Sequence, residues 1–248
     1  MRNFLMKVKN VSRLCDITSK QCLHRIRMEF HTSPGSWKSL KDFLPSFWVP
    51  RTVEAPYKHV VQIGDPVLRQ KAGLVPEEDI GGPAVKFLLN RMYYTMHAFK
   101  MSGIAAPQVG VPLRVILMEF PEATLKKYSK EVVKTRNMQA MPETVFVNPE
   151  LKVTDYTKHT FPEGCGSVMG FTADVTRYNG VELSGFDEKG VNRTLKLEGW
   201  SARIAQHEMD HLEGTMYIDI MKKKSLQLDS WEFINARAGR VELKYYPK

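Results

Sequence analysis

The sequence predicts an α+β fold in which small antiparallel β-sheets surround one central helix, and three observations predict it. Short apolar or alternating runs, closed by glycine or by Asn-Pro, recur as strands do. Late in the chain, Gly199-Trp200 and Gly214 bound one helix that carries His207-Glu208-Met209-Asp210-His211. The 248 residues, 43% of them apolar, suffice for one good core, and no apolar run nears the ~18 residues needed to span a membrane.

Taken in order, the chain opens on a basic segment. Residues 1–28 carry Arg2, Lys7, Lys9, Arg13, Lys20, Arg25 and Arg27 against the single acid Asp16, which is +6 of the total +9. Apolar residues recur there at near-helical spacing, with serines between them. That is the composition of a mitochondrial transit peptide, assigned to residues 1–32 with cleavage between Arg25 and Ser33. A nucleic-acid-binding tail is the alternative, but the segment has no interleaved aromatic platform. Residues 33–56, with Trp37, Trp48, Pro34, Pro45 and Pro50, read as an extension wrapping the domain at 57–248.

Gly81-Gly82-Pro83 opens a helix through about Phe99, with Val85, Leu88, Leu89, Met92, Tyr93 and Met96 as one buried stripe. Ser102–Gly110 is a small-residue loop offering backbone groups and the amide of Gln108, or else a tight connection packed on the core. Val115–Met118 reads as a buried strand, and Thr144–Val147 as another, ended by Asn148-Pro149. Between them, 121–141 is an exposed insertion with Lys126, Lys127, Lys130, Lys134 and Arg136. It is either a solvated face or a contact to ribosomal RNA. Val181–Phe186 and Arg193–Leu197 alternate around Asp187-Glu188-Lys189-Gly190 and form a hairpin.

The helix motif carries the chemistry. Histidines four apart share one helix face, so His207 and His211 can meet one divalent metal, with Glu208 placed to handle the proton of a bound water. Catalytic sites of this kind use three protein ligands and an open position. A metzincin would have histidine at 217, where this chain has Tyr217, and a thermolysin-like site would draw on Glu232. The better third ligand lies upstream, in Glu163-Gly164-Cys165-Gly166-Ser167. Cys15 and Cys22 fall in the leader, so Cys165 stands alone in the domain, and its flanking glycines let backbone come close to a metal or substrate. An inert buried thiol or a Cys-His nucleophile are the other readings of Cys165.

Three ordered motifs resemble the peptide deformylases: Gly103-Ile104-Ala105-Ala106-Pro107-Gln108, then Glu163–Ser167, then Gln206-His207-Glu208-Met209-Asp210-His211-Leu212. The similarity runs from about Val61 to about Ile220, includes Gly64-Asp65-Pro66-Val67-Leu68-Arg69, and in Phe161-Pro162 and Gly199-Trp200 resembles the animal mitochondrial branch. The resemblance implies a peptide-deformylase-like fold and removal of the N-formyl group from nascent N-formylmethionyl polypeptides in the mitochondrial matrix. It implies Cys165, His207 and His211 as ligands of one divalent metal. Iron(II) is the family's ion, while zinc, cobalt or nickel suit the same donors. Glu208 would be the catalytic base. The Gln108 side chain and the Gly166 N–H would hold the oxyanion. Ser102, Gly103 and Gly164 would lie along the substrate backbone. By helix position, Arg203 and Ile204, one turn before His207, and Trp200, two turns before, face the methionine pocket, with core packing as the other reading of Trp200. Glu163 would pair with Arg177 to hold the cysteine loop, and Asp210 would face away from the metal.

One departure stands out. Bacterial relatives usually carry leucine where this chain has Gly166, so a wall of the first-residue pocket is expected to be missing and activity lower. A catalytically weak or inactive protein bound near the mitochondrial ribosome is the alternative function, and a metal-dependent endopeptidase another. The resemblance leaves room for transient ribosome contact and for a homodimer, with no membrane partner.

Overall fold

In a computed structural model, residues 54–242 and 245–246 are described, all within the compact unit Arg51–Lys248. The leader 1–32 and residues 33–53 of the extension lie outside the described residues. No helix among those described is long and apolar enough to cross a membrane.

Pro83–Ala98 forms α1. Pro83 takes the first helical position, where its missing N–H costs nothing, and Gly82 precedes it in an extended conformation. Gly103–Ala105 is β1 and Val115–Phe120 is β2. The insertion contains two short helices, α2 at Glu122–Leu125 and α3 at Lys130–Thr135, the latter capped by the Ser129 hydroxyl. Met141–Cys165 is β3, Val168–Phe186 is β4 and Asn192–Glu198 is β5. Gly199–Leu212 is α4, followed by α5 at Tyr217–Ile220, β6 at Gln227–Leu228 and α6 at Trp231–Ala236.

The strands join in one antiparallel path, β1-β2-β3-β4-β5, with β6 added beside β4. The expected class, antiparallel strands around a central motif helix, is what the molecule has. The strands are linked in one sheet because β3 and β4 are long enough to pass through both ends of it. Asn148-Pro149 does not end the strand, contrary to expectation. Asn148 sits in the left-handed region at φ 52°, and the register slips between Val147 and Glu150, so the sheet absorbs the proline as a bulge. The Asn148 side chain secures the bulge by bonding both the N–H and the C=O of Val75, each at 2.8 Å.

β2 explains why its sequence reads as continuous apolar rather than alternating. Ile116, Met118 and Phe120 pack with Ala202, Ala205 and Leu212 of α4. Val115 and Leu117, on the opposite face, pack with Val85, Leu88, Met92 and Met96 of α1. The sheet is buried on both sides, and α4 lies against one of them. Within the α1 stripe Leu89 is only half-buried and Tyr93 is exposed, so the buried face is narrower than the periodicity suggests.

The insertion is not simply a solvated face. Leu125, Val132 and Val133 pack against the same core as α4, and Met138 is buried within it. Gly199 opens α4 at φ +57°, where an added Cβ would lie 2.5 Å from the Asn137 carbonyl oxygen. Only glycine serves there. At the other end Gly214, at φ +73°, closes the helix, with the Gly214 N–H on the His211 carbonyl and the Thr215 N–H on that of Asp210.

Candidate active site

Two adjacent elements deliver the reactive side chains. Cys165 is the last residue of β3, and Gly166-Ser167 make the turn into β4. His207 and His211 lie one turn apart on α4, whose alanines at 202 and 205 are fully buried against the sheet and let the helix approach it. Cys165, His207 and His211 each offer a ligand atom, and these atoms all lie within 4.8 Å of one another. Cys165 Sγ is 3.2 Å from His211 Nε2. The set of one sulfur and two imidazoles matches expectation, whereas Tyr217 is occupied elsewhere and Glu232 lies on exposed α6.

The site's electrostatics suit a cation. Burial pushes the Cys165 thiol up, but His211 and His207 beside it outweigh that and hold it well below the usual thiol range. Burial also works against charge on His207, yet Cys165 and Glu163 overcome it and raise its pKa well above that of a free imidazole. A thiolate facing two histidines is the donor chemistry that binds a divalent transition metal. His207 Nδ1 is engaged with Glu163 Oε2 at 3.0 Å, leaving Nε2 for a ligand. His211 Nδ1 is buried with no partner among the described residues.

Glu208 completes the centre. It is buried on the helix beside the ligands, and its Oε2 has no hydrogen-bond partner among the described residues. Burial, only partly offset by the two histidines, raises its pKa to about 7. A carboxylate with an orphan oxygen next to a metal-type donor set fits a water held between them. Gly103 on β1 passes directly over this carboxylate. An added Cβ at 103 would stand 2.4 Å from Glu208 Oε1.

Gln108 is buried at the same place. Its Oε1 accepts from the Ala105 N–H at 2.9 Å, which turns the amide nitrogen toward Ser167 Oγ at 3.2 Å and Cys165 Sγ at 3.6 Å. The Ser167 N–H also points to the cysteine sulfur at 3.4 Å. These groups border a cleft of about 390 Å³. Ser102, Gly103, Gln108, Gly164, Cys165, Gly166, Trp200, Arg203, Ile204, His207 and Glu208 all line it. Of the expected site residues, only His211 lies behind the cleft, buried at the sulfur.

Arg203 behaves differently from the expected pocket wall. Its guanidinium is turned inward, bonding Glu163 Oε1 at 2.6 Å and the carbonyls of Val175 and His159 at 2.9 and 2.7 Å. Glu163 likewise does more than pair with Arg177, which it grips with both oxygens at 3.0 Å. It binds two arginines and His207 at once, and His207 and Arg177 overcome its burial and hold its carboxyl far below the ordinary range. Asp210 points away from the ligands and reaches Arg177 at 2.5 Å. No local spacing in the sequence marks the link from Glu163 to His207, although a ligating histidine generally needs a partner for its second nitrogen.

Other contributors had no sequence signal. Gln62 braces the turn by donating to the Gly166 carbonyl at 2.8 Å and accepting from the Met169 N–H at 3.3 Å. Tyr217 stacks on His207, with ring centroids 6.2 Å apart, and its hydroxyl donates to the Phe171 carbonyl. The wall expected to be missing at Gly166 is already occupied: a Cβ there would meet Met101 Sδ at 2.7 Å and Val60 Cγ1 at 3.3 Å.

Known proteins resemble this chain. The polypeptide deformylase family model matches residues 57–227. The mitochondrial peptide deformylase of Homo sapiens is 43% identical over 182 residues, covering 73% of this chain and 75% of that protein. Peptide deformylase 1A, chloroplastic/mitochondrial, of Arabidopsis thaliana is 39% identical over 168 residues, covering 68% of this chain and 62% of the plant protein. Among solved structures, the Met-Ala-Ser-bound class I type b peptide deformylase of Acinetobacter baumannii superposes with a TM-score of 0.58 at 28% identity. It covers 65% of this chain and 96% of its own. With a family match over most of the domain and these relatives alongside it, the chain belongs to the polypeptide deformylase family.

Proposed function

We propose that this enzyme removes the N-formyl group from the initiating methionine of newly made polypeptides in the mitochondrial matrix, with one divalent metal held by Cys165, His207 and His211. One observation carries the reading: three ligand atoms within 4.8 Å of one another at a cleft, beside a buried carboxylate with an unpartnered oxygen. The basic, acid-poor leader supports the address. Iron(II) follows from the family resemblance, and zinc, cobalt or nickel suit the same donors.

When bound, the metal supplies Lewis acidity that polarises the formyl carbonyl and makes water more acidic. The protein's own groups do the rest. Glu208, with its pKa near 7, takes a proton from the attacking water and returns it to the amine nitrogen as the C–N bond breaks, giving formate and a free amino terminus. The Gln108 amide N–H and the Gly166 N–H donate to the developing oxyanion. Glu163 holds His207 through Nδ1, and Arg177 and Arg203 hold Glu163. Ser102, Gly103 and Gly164 lie along the substrate backbone, and Trp200, Ile204 and the stem of Arg203 enclose the methionine side chain.

The intact ligands and Glu208 favour this over an inactive ribosome-bound protein. Anaerobic purification, metal analysis and formate release from formyl-Met-Ala-Ser test it together. One metal per chain with release of formate supports it. Cleavage of a casein-like substrate with no formate release would instead indicate an endopeptidase.

A further inference from the structure

The basic insertion passes behind the active-site cleft, where Arg136 and Asn137 contact Trp200. Arg136 caps the C-terminus of α3, where the helix dipole favours a cation. Its guanidinium carbon lies 5.3 Å from the centroid of the Trp200 ring and 5.5 Å from that of Phe161. The next residue, Asn137, accepts the Trp200 N–H on its carbonyl at 3.3 Å. Trp200 lines the cleft.

Two facts make the cation matter. The Trp200 indole Nε1 is buried with no hydrogen-bond partner among the described residues, so no polar contact there fixes the ring's rotation. Arg177 and Arg203, the neighbouring cations, are paired with Glu163 and Asp210, and although Arg203 also lies 5.1 Å from the Phe161 centroid, Arg136 is the cation over the Trp200 ring among the described residues. Arg136 has no ion pair among the described residues, so its charge is directed at ring faces, where a cation is attracted to the π quadrupole.

We propose that Arg136 is a positioning residue for the methionine pocket, setting the orientation of Trp200 and thereby the enzyme's selection of the first side chain. Arg136 touches neither the reacting atoms nor the metal ligands. It acts through the indole. The insertion thus contributes a specificity determinant through Arg136, while its lysines at 126, 127, 130 and 134 are exposed. The inference rests on the deformylase reading.

The test uses the full metal-loaded enzyme with Arg136→Met, which keeps an apolar stem and removes the charge, and Arg136→Lys, which keeps the charge. Steady-state rates are measured on formyl-Met-Ala-Ser and formyl-Ala-Ala-Ser, and binding of the product Met-Ala-Ser by tryptophan fluorescence. Arg136→Met should raise KM for the methionine substrate about five-fold, with kcat falling less than KM rises. The preference for methionine over alanine should shrink several-fold, and Arg136→Lys should recover at least half of both changes. Reversing the four lysines together to glutamate should leave KM and preference as they were.

Unchanged KM and preference in Arg136→Met would overturn the proposal. So would loss of kcat and melting temperature with KM constant, the mark of a merely structural role, or an equal shift from the four-lysine variant. If the wild type released no formate, the deformylase reading would fail separately. Product affinity would then still decide Arg136: weakened by Arg136→Met the positioning role stands, and unchanged it falls.

Discussion

Gly103→Ala adds one methyl group, and the structure says where it goes. Gly103 has no positive φ, so the backbone accepts alanine. The new Cβ would stand 2.4 Å from Glu208 Oε1, 2.8 Å from Cδ and 2.9 Å from Cγ. Restoring ordinary contact requires the carboxyl to move by about 1 Å, a displacement that can cost about 10²-fold in rate when it falls on a reacting group. Glu208 is buried, so the carboxylate has little room to yield except along its own rotamer. We therefore expect kcat on formyl-Met-Ala-Ser to fall about 10²-fold, about 2.7 kcal/mol of barrier, with metal content and KM little changed. The assay is formate release under saturating substrate, alongside metal analysis of the same sample. A variant within three-fold of wild type at full metal occupancy would refute the claim that Gly103 fixes the position of a catalytic Glu208.

Glu208→Gln should keep the metal and lose about two to four orders of magnitude in turnover, since the amide cannot take a proton; more than a tenth of wild-type rate at full occupancy would remove Glu208 from the role. Glu163→Gln leaves Arg177, Arg203 and His207 short of a buried charge, so stability should drop by about 3 kcal/mol or more and metal affinity about ten-fold or more, read by thermal melts and dialysis. Because partners depress the Glu163 pKa, its stabilisation is complete above the ordinary carboxylate range and drains away as pH falls through the lower folded value. The gap between wild type and Glu163→Gln should therefore hold above the ordinary carboxylate range and narrow progressively as pH falls below it, and a gap that closed near neutral pH would contradict this. Gly166→Leu brings in the side chain that bacterial relatives carry, but Met101 Sδ stands 2.7 Å from that Cβ, so kcat/KM should fall several-fold and recover in the Met101→Ala background; no recovery would mean Met101 is not the obstacle. A fusion of residues 1–40 to a fluorescent reporter should reach mitochondria, and diffuse fluorescence would refute the address.

The site was more legible than the frame that carries it. Cys165, His207, His211 and Glu208 stand out because ligand chemistry restricts residue types at short spacings, and a helix turns i and i+4 to one side. The hairpin of β4 and β5 was equally plain, because alternation and its turn are local. Asn148-Pro149 misled, since whether a proline ends a strand or sits in a bulge depends on neighbours far along the chain, here Arg114 and Val75. The insertion misled for a related reason: its lysines are conspicuous, while Val132, Val133 and Met138, which dock it, are few. Arg203 read as a pocket residue by helix position alone, which cannot reveal that Glu163 draws its guanidinium inward. Met101 had no signal at all, because its contact with Gly166 joins separate loops.

The most direct test of the metal centre is reconstitution of the apo-enzyme with cobalt(II), followed by absorption spectroscopy of wild type and Cys165→Ser. One cobalt per chain with a sulfur-to-metal charge-transfer band is expected in wild type, and loss of that band in Cys165→Ser. Full stoichiometry with an unchanged spectrum in Cys165→Ser would contradict it, because the ion would then be held without the thiolate on which the whole site is built.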